Sequence, residues 1–188
     1  MRYNDSMISI STKTGDKGKS SLIGPKRYDK DNLVFTVLGD IDELNSWIGV
    51  LISYVKIKNT RKHKITVKEL FDVQEKLFTL SGQIAGSKRV QIYPNDIKHL
   101  ERRGKSIQQS FSENWHSKFI YPGGSRAAAW ADIARSVCRR VERSLVAYSK
   151  ENAVPPLILQ YINRLSDYIY LVRCQLNDLD DVSETEFN

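Results

Sequence analysis

The first segment of the chain whose residue types could do chemistry is GDKGKS, at residues 15–20. It ends in Gly-Lys-Ser, as a phosphate-binding P-loop does. A Walker A loop needs a longer spacer between its glycines than Asp16 and Lys17, and neither a hydrophobic strand before the segment nor a helix directly after it is indicated. A P-loop is therefore excluded. Two interpretations stay open: a flexible loop that closes over a polyphosphate, and a loose N-terminal arm.

A second candidate set lies on the helix predicted to follow Ser125. Arg135, Arg139 and Glu142 are spaced i, i+4, i+7, which places them on one side of the helix, along the border of its apolar stripe. Two arginines can hold a polyphosphate. The alternative is an ordinary ion-pair ladder on a solvated face, because Arg139 and Glu142 can pair within the helix.

Two other predicted helices carry polar residues beside their apolar stripes. Asp42 and Asn45 share a face of the first helix, where a carboxylate can anchor an arginine of another helix. Asn163, Ser166 and Asp167 share a face of the fifth helix. Ordinary hydrogen bonds between helices are the alternative for this second group.

An aromatic residue, Phe119, precedes a Pro-Gly-Gly turn at residues 122–124. A ring that is fixed by such a turn at the rim of a pocket can stack on a flat ligand. The alternative is a plain hydrophobic contact with the helix that follows the turn.

Apolar residues recur at helical spacing in five segments that would position these side chains. We predict helices from an N-cap at Asp40 to Val55, from about Thr66 to Ser87, from Asn95 or Asp96 to residue 111, from a cap at Ser125 to about Lys150, and from Pro156 to about Asn177. The predicted buried stripes are Leu44, Ile48, Leu51, Ile52 and Val55; Leu70, Val73, Leu77, Leu80 and Ile84; Ala127, Ala131, Ala134, Cys138, Val141 and Leu145; and Ile158, Ile162, Leu165, Ile169, Val172 and Leu176.

Short connections and little sign of strand predict an all-α protein, a five-helix up-and-down bundle. The chain of 188 residues reads as one domain, 1–188. It divides into a loop-like arm at 1–33, a helical bundle at 40–177 and a frayed acidic tail at 179–188. Between the arm and the bundle, residues 33–39 form a short apolar, β-branched run, which predicts an extended segment.

The composition excludes several classes of protein. No apolar run is long enough to span a membrane and no secretory signal is apparent, so we expect a cytoplasmic protein. The histidines show no metal-ligand spacing, and Cys138 and Cys174 read as buried free thiols, so no metal site is assigned. A net charge of +7 favours anionic partners. The dense basic run at 56–64 is typical of solvated surface, and we expect no nucleic-acid partner.

Six stretches together resemble one family, the PduO-type ATP:cob(I)alamin (corrinoid) adenosyltransferases. They are TKTGDKGKSSLIG (12–24), KD (30–31), GDIDELNSWIG (39–49), FIYPGGS (119–125), ARSVCRRVER (134–143) and NRLSD (163–167). They occur in the family's order and spacing over about residues 12–178.

The resemblance implies a homotrimer with active sites between subunits and an N-terminal loop over each site. The implied reaction transfers the 5′-deoxyadenosyl group of ATP to the cobalt of cob(I)alamin, which is a substrate, and releases triphosphate with the help of Mg²⁺. In the implied mechanism, a base-off cob(II)alamin intermediate precedes the transfer of the adenosyl group. Partners would include a cob(II)alamin reductase and an adenosylcobalamin-dependent enzyme. A non-catalytic nucleotide- or corrinoid-binding trimer of the same fold is the alternative.

The resemblance also assigns roles to residues. Phe119, Arg139 and Glu142 are implied as catalytic, with Phe119 on the lower axial side of the corrin. Asp42, Asn45, Phe119 and Arg135 are implied at the cobalamin side of the subunit interface, where Asp42 pairs with Arg135. The implied ATP-binding residues are Thr12, Lys13, Thr14, Gly15, Asp16, Gly18, Ser20, Lys30, Arg139, Glu142, Arg143 and Asn163.

The chain departs from the family pattern at a few positions. Tyr121 stands where leucine is common, and Arg126 follows the Pro-Gly-Gly-Ser turn where small residues are frequent. Both departures border the segment that carries Phe119, so they could alter the corrin pocket or the preferred corrinoid.

Overall fold

A computed structural model of the chain describes residue 11, residues 13–113, residue 115 and residues 119–187. Within this part the chain forms five helices: α1 (Leu33–Val55), α2 (Arg61–Ile84), α3 (Pro94–Gln108), α4 (Arg126–Ser149) and α5 (Pro156–Leu179). The predicted five-helix bundle is confirmed. The arm before α1 contains two short strands that the sequence did not predict, β1 (Lys19–Ser21) and β2 (Arg27–Asp29). They pair antiparallel with Ser20 opposite Tyr28.

The core lies where α4 packs between α1 and α5, with α3 against α5 and α2 against α1. Every residue of the four predicted apolar stripes is buried. The two cysteines are free and buried, as expected. Burial raises the pKa of the Cys138 thiol, whose Sγ donates to the Ile162 carbonyl at 3.4 Å, so this thiol belongs to the core and not to a reactive site.

The first helix begins seven residues before the predicted N-cap at Asp40. Asn32 is the N-cap, and its Oδ1 accepts a hydrogen bond from the Val34 amide at 3.1 Å. Val34 and Val37 are buried and extend the apolar stripe toward the helix start. The extended segment predicted at 33–39 is therefore wrong. Asp40 instead forms an ion pair with Arg140 of α4, whose Nε lies 3.2 Å from Asp40 Oδ1.

Two other helix starts also differ from the prediction. The N-cap of α2 is Thr60 and not Thr66, which is buried inside the helix and donates its hydroxyl to the Lys62 carbonyl. The N-cap of α3 is Tyr93 rather than Asn95 or Asp96, and Asp96 accepts from the Tyr93 amide at 2.8 Å. The predicted starts of α4 after Ser125 and of α5 at Pro156 are confirmed.

The acidic tail is not frayed in its described part. The Tyr121 amide donates to the Thr185 carbonyl at 2.9 Å, and the Phe187 amide donates to the Phe119 carbonyl at 2.7 Å. The tail therefore runs beside the segment that leads into the Pro-Gly-Gly turn. The prediction failed because the partners of these backbone groups lie more than sixty residues away along the chain.

None of the helices among the described residues is long and apolar enough to cross a membrane.

The turn before α4 depends on two glycines in the left-handed region, Gly123 at φ 131° and Gly124 at φ 104°. A Cβ atom added to Gly124 would lie 2.7 Å from Cγ of Asn177. The Asn177 side chain cannot retreat freely, because its Oδ1 accepts a hydrogen bond from the Ser125 amide at 2.8 Å. Only glycine fits this position without a shift of the turn.

We expect Gly124→Ala to lower the free energy of unfolding by about 2 kcal/mol, because it combines backbone strain with a steric clash. Urea denaturation measures the change. Gly39→Ala is the matched control, since Gly39 lies within α1 and an added Cβ would meet nothing within 4 Å. The control should gain up to about 1 kcal/mol from lower backbone entropy in the unfolded state. Equal stability of Gly124→Ala and the wild type would contradict the assignment.

Candidate active site

A buried guanidinium group fixes the turn that carries Phe119. Arg173 of α5 is 1% exposed, and its Nε donates to Asp132 of α4 at 3.1 Å. Its Nη2 donates to the carbonyls of Tyr121 and Gly123 at 3.1 and 3.2 Å, and its Nη1 pairs with Glu184 of the tail. Two helices, the turn and the tail therefore meet at one side chain.

Asn177, one helical turn after Arg173, completes this network. Its Nδ2 donates to the Gly123 carbonyl at 3.3 Å and to Glu184 at 3.2 Å. The carboxylate of Asp132 also accepts from the Gly123 amide at 2.9 Å. Both polar groups of Gly123 thus have buried partners, which holds the turn in one position.

Phe119 is 84% exposed, although its backbone is held by the tail. The alternative interpretation, a hydrophobic contact with the helix after the turn, is therefore wrong. Tyr121 contacts Phe187 edge to face, with ring centroids 5.8 Å apart. The exposed ring of Phe119 is therefore available to a ligand or to a neighbouring chain.

Glu142 of α4 and Asn163 of α5 are brought together as expected. Asn163 Nδ2 donates to Glu142 Oε1 at 2.8 Å, which orients the carboxylate. Arg143 lies beside them and donates to the Arg139 carbonyl at 3.1 Å. Arg139 is exposed and forms no ion pair with Glu142 or with another described residue, so the ion-pair ladder is excluded. Its guanidinium is free for an anionic ligand.

A cavity of about 310 Å³ opens beside these residues, between α4, α5 and the segment after α3. Its walls include Arg135, Arg139, Asp167, Tyr170 and Trp115. The indole of Trp115 stacks on the Tyr170 ring at 6.2 Å. Burial raises the pKa of Tyr170, with smaller contributions from the nearby Cys174 thiol and from a side-chain hydrogen bond with it. Sequence reasoning missed Trp115 and Tyr170, because neither belongs to a motif or shares a stripe with the arginines.

The N-terminal arm forms a hydrogen-bonded hairpin, so the described part of it is not a loose arm. The Lys30 amide donates to the Gly18 carbonyl at 2.8 Å, and a Cβ on Gly15 would lie 2.9 Å from Lys30 Nζ. Arg27 donates to the carbonyls of Thr14 and Lys19 at 2.6 and 2.7 Å. The Lys30 backbone is thus held by the hairpin, and its ammonium lies close to Gly15. Thr12 lies outside the described residues.

The hairpin lies beside the carboxyl-terminal ends of α2 and α4. The Ile23 amide donates to the Ala85 carbonyl, just after α2. Burial raises the pKa of Tyr148 at the end of α4, with a smaller contribution from the nearby phenol of Tyr28 in β2. The exposed residues Lys13 and Asp16 and the half-buried Ser20 of β1 therefore lie at the end of the bundle where α2 and α4 finish.

The two residues implied at a subunit interface do not meet within one chain. Asp42 is exposed on α1 and forms no ion pair among the described residues, whereas Arg135 lies 3.5 Å from Asp132 of its own helix. Asn45 is 6% exposed, and its Oδ1 accepts no hydrogen bond from the described residues. A pairing of Asp42 with Arg135 requires a second chain and stays a prediction.

We expect Arg173→Met to lower the free energy of unfolding by about 3–5 kcal/mol, because it leaves two carboxylates in the network without their cation. Arg164→Met is the matched control on the same helix: Arg164 pairs with Asp167 at 3.3 Å on an exposed surface. That change should cost at most about 1 kcal/mol. Urea denaturation distinguishes the two, and similar losses in both variants would reject a special role for Arg173.

Comparisons with known proteins agree with this geometry. The family model of the cobalamin adenosyltransferases matches residues 10–176. The corrinoid adenosyltransferase of Bacillus subtilis is 34% identical over 183 residues, which cover 96% of this chain and 92% of that protein. The cobalamin adenosyltransferase of Cupriavidus metallidurans is 34% identical over 168 residues, which cover 89% and 88%.

Solved structures give the same result. A variant of the PduO-type ATP:corrinoid adenosyltransferase from Lactobacillus reuteri, complexed with cobalamin and ATP, superposes with a TM-score of 0.85 at 28% identity, over 96% of this chain and 99% of that one. The sequence motifs, the fold and the matched length all lead to one conclusion: the chain belongs to the cobalamin adenosyltransferase family.

Proposed function

We propose that this protein is an ATP:cob(I)alamin adenosyltransferase, which transfers the 5′-deoxyadenosyl group of ATP to the cobalt of cob(I)alamin. The products are adenosylcobalamin and triphosphate. One observation carries the proposal: Phe119, at the family's axial position, is exposed on a turn that a buried network holds in place, inside a chain that matches the family over residues 10–176.

The reaction is a displacement at the C5′ carbon of ATP. The Co(I) electron pair forms the Co–C5′ bond, the C5′–O bond breaks, and triphosphate leaves with that bonding pair. No proton transfer is required, so positioning and charge neutralisation carry the catalysis. The difficult step is the reduction of Co(II) to Co(I), which becomes accessible when the lower axial ligand is removed. Phe119 suits that position because its ring excludes water and cannot ligate cobalt.

The nucleotide would lie between the hairpin and α4. The turn at 15–18 would supply backbone amides, and Lys30 would supply an ammonium that lies close to Gly15 of this turn. Arg139 and Arg143 would contact the triphosphate, where fork-shaped guanidinium groups match phosphate oxygens. Asn163 keeps the Glu142 carboxylate oriented toward the same region.

The residues of the candidate site would bind Mg²⁺ only together with the phosphates of the nucleotide. Among the described residues no group of three or more histidine, cysteine, aspartate and glutamate side chains could hold a metal ion. Mg²⁺ usually binds through one or two carboxylates together with substrate phosphates and water. Glu142 is the carboxylate that would hold it, and the ion would supply neutralisation of the charge that develops on the triphosphate.

A homotrimer with active sites between subunits is part of the proposal. Its support is two polar groups on α1, the Asp42 carboxylate and Asn45 Oδ1, for which the described residues supply no ion pair and no hydrogen bond, respectively. An arginine of a neighbouring chain, Arg135 in the family's pattern, would pair with Asp42. The chemistry further requires a reductase for cob(II)alamin and an enzyme that uses adenosylcobalamin. The cytoplasm is the compartment that we propose, since the two free cysteines suit a reducing environment.

The direct test is incubation of the protein with ATP, Mg²⁺ and reduced cobalamin while the cob(I)alamin absorbance is followed. Wild type should convert cob(I)alamin to adenosylcobalamin with release of triphosphate. Arg139→Ala should weaken ATP binding and transfer together by about tenfold to a hundredfold, as expected for a lost charge-assisted contact of about 1.5–3 kcal/mol. Arg102→Ala, an exposed arginine of α3, is the control that should leave both unchanged. ATP and cobalamin binding without turnover by wild type would favour the non-catalytic trimer.

We expect Phe119→Ala to bind ATP nearly as wild type does and to lose most of its activity from cob(II)alamin, because the lower axial side then admits a ligand. Starting from chemically reduced cob(I)alamin should restore much of the rate. Phe78→Ala is the control, since Phe78 is an exposed phenylalanine of α2, outside the site. Equal turnover of cob(II)alamin by Phe119→Ala and wild type would remove Phe119 from the axial role.

A further inference from the structure

A second polar cavity, of about 230 Å³, lies at the end of the bundle where α1 and α5 finish and α2 and α4 begin. Lys58, His63, Arg126 and Asp180 line it, together with Tyr54 and the apolar residues Val55, Ile57 and Ala127. The proposed function uses none of these side chains. The volume far exceeds the about 10–15 Å³ that one water molecule requires, so the cavity can hold a larger ligand.

The first sign of a ligand is His63, which is 2% exposed and whose Nε2 has no hydrogen-bond partner among the described residues. Its Nδ1 lies 2.7 Å from the hydroxyl oxygen of Thr60, which also accepts from the His63 amide. Nδ1 therefore has a hydrogen-bond partner in Thr60, and Nε2 is the ring nitrogen that has none among the described residues. A buried polar atom without a hydrogen-bond partner is costly, so we expect a hydrogen-bonding group of a ligand at this atom.

The second sign is Arg126, at the first position of α4. A cation is unfavourable at the positive end of a helix, yet Arg126 makes no hydrogen bond or ion pair with the described residues. It is also one of the residues at which the sequence departs from the family pattern. An anion in the cavity would neutralise both the charge of Arg126 and the partial positive charge at the start of α4.

Asp180 adds selectivity to this arrangement. Its Oδ1 lies 3.9 Å from His63 Nε2 and 3.2 Å from Lys58 Nζ, and it accepts no hydrogen bond from the described residues. Burial lowers the pKa of His63, so its ring is neutral near neutral pH and the cavity holds two cations against one carboxylate. A ligand with net negative charge suits this balance, and a proton on that ligand can serve the Asp180 carboxylate, which otherwise faces Lys58 and His63.

We propose that this cavity binds a hydrogenphosphate group, either inorganic phosphate or the phosphate of a small monoester. Arg126 and Lys58 would neutralise its charge, His63 Nε2–H would donate to one phosphate oxygen, and the P–OH group would donate to Asp180. Sulfate has the same shape but carries no proton near neutral pH, so its oxygen would face the carboxylate without a hydrogen bond. The site therefore discriminates phosphate from sulfate.

Isothermal titration of the full chain with inorganic phosphate tests the proposal. We expect binding at this site with Arg126→Ala weakening it by about tenfold or more, as for a lost hydrogen bond to a charged group. Lys62→Ala is the matched control, because Lys62 is an exposed cation of the same basic run and does not line the cavity. The affinity of Lys62→Ala for phosphate should stay within about twofold of wild type, because the Lys62 side chain does not border the cavity.

Further arms separate the site from the nucleotide site and identify the source of the phosphate. Arg139→Ala should retain the binding, which makes the result independent of the proposed activity. Glycerol phosphate in place of inorganic phosphate tells whether a monoester is accepted. Sulfate should bind weakly to wild type, and Asp180→Asn should reduce the difference in affinity between phosphate and sulfate. Absent phosphate binding, equal losses in Arg126→Ala and Lys62→Ala, or sulfate binding as tight as phosphate would each overturn the proposal.

Discussion

The buried guanidinium of Arg173 is the interaction on which the candidate site depends. Burying such a charge is favourable only when all of its donors find partners, and here they are supplied by Asp132, Glu184 and two carbonyls of the turn. Since these partners belong to α4, the tail and the turn, none of the three can move without leaving a buried charge unpaired. The network thus holds the turn before α4 in one arrangement.

This arrangement explains how Phe119 can be both exposed and fixed. Most aromatic rings are held by burial of the ring itself, which would make Phe119 unavailable to a ligand. Here the backbone at and after Phe119 is held instead, by the tail at Phe187 and by the network at Gly123. The ring can then meet a flat ligand with little further loss of conformational entropy, which is what a preorganised site requires.

The sequence predicted what is periodic and missed what depends on distant partners. Each apolar stripe was correct, because burial repeats with the helical period. The N-caps predicted at Asp40 and Thr66 were wrong. Asp40 instead forms an ion pair with Arg140 of α4, and the Thr66 hydroxyl donates to the Lys62 carbonyl inside α2. Arg173 gave a signal, a charge next to Val172 of the apolar stripe of α5, but its four partners could not be predicted. The grouping of Lys58, His63 and Arg126 likewise needed the fold.

The contrast between the two kinds of arginine extends this argument to function. Arg173 has all of its partners within the chain, so it stabilises the fold and has no capacity left for a ligand. Arg139 and Arg126 have none among the described residues, although carboxylates are available nearby in Glu142 and Asp180. In each case the carboxylate is held by another group, Asn163 or Lys58. The positive charge of the chain is therefore unneutralised at defined places, and those are the places where an anionic ligand would gain most.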